Sequence, residues 1–360
     1  MIDLTKSRYY FILLFVGTAI PAFLCIYFVH LFGVNIPFQD EWQFYPILRK
    51  FISGGNWAGD LLSQHNEHRP VFPRMLLLAV AGLTSWNVIY EMYADWILIG
   101  ISTFVIWIFL RKTFIKETVL IIPIAWVMYS VSQYETLLFG WALQITLMVT
   151  SVLLSIYFLY RANILSSRSL FFLALAVVFG YVATFSFING LIVWIVGTAS
   201  FFGSNWKKRK FALFAWMSFG ILAFAIYFNG FVKPDYHPSY LIFLEDPVSF
   251  ANFVLAFLGS GLRSGEVLSS EIVGAVTLIS FIAAVIIVFR NKKTEAALPW
   301  IQIGAFAILS AMLVGVGRLG FGISQALVSH YISISSLMIV ATLVISVEVL
   351  RELKTKDAQR

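Results

Sequence analysis

The chain has 360 residues, of which 60% are hydrophobic, 17% aromatic and only 12% charged. Apolar runs of roughly 18 or more residues recur from end to end, which excludes a soluble chain, and they are continuous rather than alternating, which excludes a transmembrane β-barrel. The net charge of +7 comes from bases scattered over short gaps, so it argues for membrane topology and against a nucleic-acid partner.

The first apolar block, 9–32, is too long for the core of a signal peptide and has no small-x-small cleavage site after it, so it is predicted to stay as the first helix. The lone Cys25 lies inside it, which leaves no internal disulfide. Further spans are predicted at 87–110, 117–133, 139–160, 169–186, 188–203, 211–230, 271–290, 299–316 and 331–350. That makes about ten spans and an all-α, polytopic transmembrane helical bundle, a single domain over 1–360.

Every second gap carries the bases. Lys6 and Arg8; Arg111, Lys112 and Lys116; Arg161 and Arg168; Lys207 to Lys210; Arg290, Lys292 and Lys293; and Arg351, Lys354, Lys356 and Arg360 make 18 of the 25. The rule that cytoplasmic loops are basic puts both termini inside and the other gaps outside. Only Asp3, Glu117, Glu295, Glu348, Glu352 and Asp357 of the 18 acids then fall inside, so polar chemistry is concentrated on the outer face. Two outer loops are long, 33–86 and 231–270. Each holds an apolar segment too short to span, 70–85 and 249–262, and both are read as juxtamembrane helices on the outer surface.

The first outer loop reads "NIPFQDEWQFYPILRKF" at 35–51 and "QHNEHRPVFPR" at 64–74. Gln39 or Asp40 can cap a helix whose apolar residues Trp42, Tyr45, Leu48, Phe51 and Ile52 fall three or four apart. Asp40 and Glu41 are then either simple N-terminal acids that favour the helix dipole or an acid pair with a chemical task. His65, Glu67, His68 and Arg69 crowd into five residues. They read as a solvated loop stopped by Pro70, as a patch for an anionic substrate together with Arg74, or, with no clear third ligand, as a poor zinc site. His65 and Arg69 share a face if the segment is helical.

With "QDEW" at 39–42, "GGNW" at 54–57, "HNEHRP" at 65–70 and "LTSWN" at 83–87, residues 9–112 resemble the GT-C superfamily of membrane glycosyltransferases, in particular arabinosyl- and mannosyltransferase-like bacterial members. "SQYETLLFGWALQ" at 132–144, "FSFINGLIVW" at 185–194 and "SQALVSHYISIS" at 324–335 are similar to later segments of these enzymes, although His330-Tyr331 stands where an Arg-Tyr pair is usual. The resemblance implies an inverting hexosyl- or pentosyltransferase of the plasma membrane. It implies that a sugar moves from a polyprenyl-phosphate donor to a glycan or lipid acceptor of the cell envelope. It gives Asp40 the part of general base, with Glu41 orienting it or holding a divalent cation such as Mg or Mn. A phosphate leaving group calls for cations, so Arg69, Arg74, Lys233 and Arg318 on the outer side are candidates. Glu135, Gln144 and Tyr331 join them as substrate-binding candidates.

Glu91 and Asp95 are four apart on one face of the second span, where buried acids have functional value unless they lie at the interface. Glu135 is equally readable as an interfacial anchor beside Tyr134, and Trp141 as part of an aromatic belt. "GVGRLGFG" at 315–322 contains a formal G-x-G-x-x-G but no strand precedes it, which leaves close packing as its use. The competing functional class is a transporter or flippase of a lipid-linked glycan. That class predicts charge along a path through the bilayer and symmetric halves, neither of which is visible. A helper subunit without chemistry is the third.

Overall fold

A computed structural model describes residues 8–163, 168–202, 209–262 and 265–357. Asp3, Lys6, Lys207, Lys208, Arg263 and Arg360 lie outside the described residues. Among those described there is no strand, and the fold is all-α. In chain order the helices are α1 (Arg8–Phe32), α2 (Tyr45–Ile52), α3 (Val71–Thr84), α4 (Ile89–Thr113), α5 (Ile121–Met128), α6 (Tyr134–Leu138), α7 (Leu143–Asn163), α8 (Ser169–Thr184), α9 (Ile192–Thr198), α10 (Lys210–Phe228), α11 (Ile242–Glu245), α12 (Pro247–Gly259), α13 (Val267–Arg290), α14 (Thr294–Arg318) and α15 (Ile332–Asp357).

Among the described residues, seven stretches are long and apolar enough to cross a bilayer: Arg8–Phe32, Ile89–Thr113, Gly140–Ala162, Lys210–Phe228, Val267–Arg290, Thr294–Phe321 and Ser329–Lys354. Three of the ten expected spans differ. Ser169–Thr184 and Ile188–Phe201 are shorter apolar helices. The stretch expected as a span at 117–133 is broken into 3-10 turns around the eight-residue α5. The juxtamembrane segments expected at 70–85 and 249–262 are helical, as α3 and α12.

Local chemistry sets the ends. Pro247 occupies the first turn of α12, where its missing N–H costs nothing, and the Asp246 carboxylate accepts the Ser249 N–H at 2.9 Å. Between α3 and α4 the chain turns through two left-handed residues, Ser85 (φ 54) and Trp86 (φ 58). Asn87 then accepts the Ile89 N–H at 3.1 Å, while the Asn35 side chain accepts that of Val88 at 3.0 Å.

The chain divides into two compact units. One comprises 1–25, 100–132 and 239–360; the other comprises 26–99 and 133–238. In the first, α12 and α13 approach backbone to backbone: a Cβ at Gly259 or at Gly274 would lie 1.9 Å from a carbonyl oxygen of the other helix. The middle of α15 is buried through Leu337, Val340, Ala341 and Val344. At the far end of these helices Lys293 pairs with Glu348 and Glu352. An apolar cavity of about 440 Å³ lies between α1, α4 and α5, lined by Phe15, Ala19, Gly100, Phe104, Trp107 and Tyr129 among others.

In the second unit the 33–86 loop is built onto its own core. Phe44, Ile47 and Leu48 pack on Leu77, Leu78 and Ala81 of α3 and on Trp141 and Leu143. Truncating one of these, as in Leu48→Ala, carries the roughly 2–5 kcal/mol penalty of a core cavity. Of the ridge picked out by spacing, Leu48 is buried, whereas Trp42, Tyr45 and Ile52 stay more than two-fifths exposed. The reason is phase: Gln39–Gln43 is a 3-10 turn, so Glu41 and Phe44 fall on its buried edge before α2 begins.

Candidate functional site

All the groups that follow belong to the second unit, except where the first is named. The turn Gln39–Gln43 begins after Phe38, which is its N-cap; neither Gln39 nor Asp40 caps it. Glu41 is the third residue of the turn, and its carboxylate reaches back to the Phe38 N–H at 2.7 Å, one half of a capping box. Its other oxygen accepts the Trp141 N–H at 3.1 Å. Burial raises the Glu41 carboxyl above the usual carboxylate range, and the N–H groups of Phe38, Trp141 and Gly140 partly offset this. Gly140 is required by this packing. A Cβ there would sit 2.4 Å from Glu91 Oε2 and 2.8 Å from Glu41 Oε1.

Asp40, next in the turn, behaves differently. Its side chain is 39% exposed, and Oδ2 lies 3.2 Å from Nε2 of His65, whose own side chain is 3% exposed. The indole of Trp141 meets the His65 ring edge to face at 4.9 Å. A neutral imidazole carrying its proton on Nε2 donates to Oδ2 and fixes the carboxylate.

"HNEHRP" is a reverse turn and not a helix. His65 and His68 exchange reciprocal backbone hydrogen bonds of 2.8 Å, and Asn66 takes the left-handed conformation that asparagine tolerates (φ 50). His65 and Arg69 therefore do not share a helical face. The His68 ring stacks on Phe187 at 3.9 Å, and its Nδ1 accepts the Ile188 N–H at 3.3 Å. That acceptor role puts the His68 proton on Nε2, which faces Glu67 at 3.6 Å. Nε2 of His237 faces the other Glu67 oxygen at the same 3.6 Å.

The two arginines of the loop are engaged by backbone. Arg69 donates to the carbonyls of Tyr227 (2.7 Å), Leu62 (2.8 Å) and Asn229 (2.6 Å). Arg74 is buried on α3, and its Nη1 donates to the carbonyls of Asp60, Leu61 and Ser63 at 3.2, 2.9 and 2.6 Å. Burial pushes the Arg74 guanidinium down to about 10, with Asp60 opposing, so it stays charged at neutral pH. Lys233 donates to the His237 carbonyl at 2.5 Å.

Of the other expected site residues, Glu135 is half-buried on the short α6. Gln144 is buried at the start of α7, and its Oε1 finds no hydrogen-bond partner among the described residues. Glu91 and Asp95 are fully buried on α4, and the Thr146 hydroxyl donates to Asp95. Arg318, at the C-terminus of α14, and the buried Tyr331 belong to the first unit.

Sequence reasoning missed the groups that hold the loop from 160 or more residues away. The Gln64 amide makes a two-point pair with the Val232 backbone at 2.5 and 3.0 Å. The Tyr227 hydroxyl donates to the Glu67 carbonyl at 2.7 Å, and the Tyr236 hydroxyl to Asn66 at 2.5 Å. No local pattern marks such partners; the only signal is that Gln and His are scarce polar letters in an apolar chain.

A divalent cation would need a convergent set of ligands. Among the described residues no group of three or more His, Cys, Asp or Glu is disposed to hold a metal, and both Glu41 oxygens are taken by backbone N–H groups. The described residues do not fit a metal centre. No protein-family model, no curated protein and no solved structure matches the chain.

Proposed function

We propose that the chain is a membrane glycosyltransferase whose general base is Asp40. The observation that carries this reading is the Asp40–His65 pair: a partly exposed carboxylate held through one oxygen by a buried imidazole. In this reading the carboxylate, held through Oδ2 by His65, exchanges the long 3.5 Å bond that the Gln43 amide makes to Oδ1 for an acceptor hydroxyl, and removes the proton as that hydroxyl attacks the anomeric carbon of the donor. The sugar–phosphate bond breaks, and the polyprenyl phosphate leaves with its electron pair. In this reading Glu41, Arg69 and Arg74 are struts of the loop that presents the pair. The resemblance to GT-C enzymes supplies the polyprenyl-phosphate donor, the envelope glycan or lipid acceptor, and the outer face of the plasma membrane. The seven long apolar helices are consistent with that setting, and the shorter apolar helices would complete a topology with both termini cytoplasmic.

One observation favours the transporter reading. Glu91 and Asp95 are buried acids within an apolar helix long enough to cross the membrane, and acids in that position mark ion or substrate paths in transporters.

The test is mass spectrometry of envelope glycans from a deletion strain carrying the wild-type chain, Asp40→Asn or Asp95→Asn, matched for membrane abundance. The transferase reading expects one sugar to vanish on deletion, to return with the wild type and Asp95→Asn, and not to return with Asp40→Asn. Full restoration by Asp40→Asn overturns it. Restoration by Asp40→Asn with failure of Asp95→Asn supports transport.

A further inference from the structure

The exposed side of the Gln39–Gln43 turn interleaves rings with polar groups. At three residues per turn, side chains three apart eclipse. Gln39, Trp42 and Tyr45 therefore form one ridge, Asp40 and Gln43 the next, and Glu41 and Phe44 the buried third. Trp42 is 55% exposed, yet it is not loose. Trp86 meets it edge to face at 6.1 Å and stacks on Tyr45 at 5.9 Å with 21° between the planes. Trp86 is itself set by the left-handed pair Ser85–Trp86. Gln39 enters the turn at φ 44, a backbone state that glutamine seldom adopts, immediately before Asp40.

We propose that this ridge is the acceptor subsite of the reaction above: a pyranose ring rests its C–H face on Trp42 and offers hydroxyls to Asp40 and to the Gln43 amide. The inference rests on the transferase reading and names its acceptor class, a saccharide. The indole of Trp42 is held by the rings of Trp86 and Tyr45, and beside it in the turn stand Asp40, bonded to a buried imidazole, and Gln43, whose amide reaches Asp40 Oδ1 at 3.5 Å. Amides, a carboxylate and an indole are the groups that match alternating hydroxyl and C–H surface.

The experiment is saturation-transfer NMR on the full-length chain in lipid nanodiscs. The probes are the methyl pyranosides of glucose, galactose, mannose and rhamnose. Wild type is compared with Trp42→Ala, Trp42→Phe and Asp40→Asn, and with Trp126→Ala as a control at a similarly exposed tryptophan of the first unit. At least one pyranoside should receive saturation on its ring protons. Its affinity should fall roughly threefold to tenfold in Trp42→Ala, as expected for loss of one aromatic contact, partly recover in Trp42→Phe, and be unchanged in Trp126→Ala. The proposal is overturned if no pyranoside binds or if Trp42→Ala binds like wild type. It is also overturned if the fluorescence that Trp42→Ala removes proves to be the component quenched by brominated lipid, which would make Trp42 a membrane anchor. The glycan assay separates the two readings. If Asp40→Asn fails there while Trp42→Ala restores the glycan and binds normally, the base stands and the subsite falls. If Trp42→Ala abolishes binding while Asp40→Asn restores the glycan, the subsite stands and the base falls.

Discussion

Arg69→Lys distinguishes a cation that binds substrate from one that binds the fold. The guanidinium spans three carbonyls, those of Leu62, Tyr227 and Asn229, at 2.6–2.8 Å. A lysine keeps the charge but not the fork, and its single ammonium can serve one of these carbonyls well. Two charge-assisted bonds are then lost. Each is worth about 1.5–3 kcal/mol when dry, but two of the three sites are water-exposed, so a total loss of about 2–3 kcal/mol is expected. At about 2–4 °C per kcal/mol, the chain should melt roughly 5–10 °C lower. The check is the apparent Tm of the detergent-solubilised chain, read as monodisperse protein left after heating, with limited proteolysis of 229–238 as a local probe. That segment should become cleavable, because Asn229 supplies one of the three carbonyls. If Arg69 served chiefly to bind a phosphate, the variant would keep its Tm and lose only activity. A Tm within about 1 °C of wild type, with 229–238 still protected, refutes the argument.

Three further outcomes follow from the same geometry. Gly140→Ala drives a methyl group against Glu91 and Glu41; the overpacking should cost about 1–3 kcal/mol, visible as a lower Tm, and a variant as stable as wild type would contradict the close approach. Glu41→Gln should change the pH profile of stability: because burial raises the Glu41 carboxyl, its contribution is complete below its ordinary value of 4.5 and is lost as pH rises through the raised value, so wild-type Tm should decline relative to the variant across that window, and a pH-independent difference would count against it. His65→Ala removes the only imidazole bonded to Asp40 among the described residues while leaving the backbone bonds of the turn intact; it should abolish glycan restoration, with partial rescue by His65→Gln, whose amide can still donate, and full restoration by His65→Ala would show that Asp40 needs no such partner.

The membrane helices were legible in the sequence because a bilayer imposes a length: α1, α4, α7, α10, α13, α14 and α15 each coincide with a long apolar run. The segment 117–133 is not one long helix: composition alone does not reveal a chain that breaks into 3-10 turns on either side of α5. The polar cluster was also legible, since acids and imidazoles stand out in such a chain, but its internal wiring was not. "HNEHRP" carries His and Arg at helical spacing, yet reciprocal bonds between His65 and His68 make it a turn. The phase of the first loop was lost for a similar reason. Spacing favoured Trp42 and Tyr45, whereas a short turn at three residues per revolution sends Phe44 to the core.

The concentration of charge between the first two long helices has a physical reason that precedes any chemistry. A long irregular loop beside a membrane exposes many backbone carbonyls, and each one buried without a partner is costly. Arg69 and Arg74 between them satisfy four such carbonyls and two more at the end of α10, and Glu41 satisfies the N–H groups of Phe38 and Trp141. These residues would be needed in a loop with no activity at all. Charge density therefore does not locate the site. What separates Asp40 from its neighbours is an asymmetry of surroundings: its carboxylate is partly exposed, and the imidazole bonded to it is buried. A group whose purpose is to brace the loop gains nothing from remaining open. For that reason the proposed general base is Asp40 and not the more heavily bonded Glu41, and substitutions at these adjacent residues should differ in kind, Asp40→Asn acting through lost transfer in a chain of normal stability and Glu41→Gln through a changed pH dependence of stability.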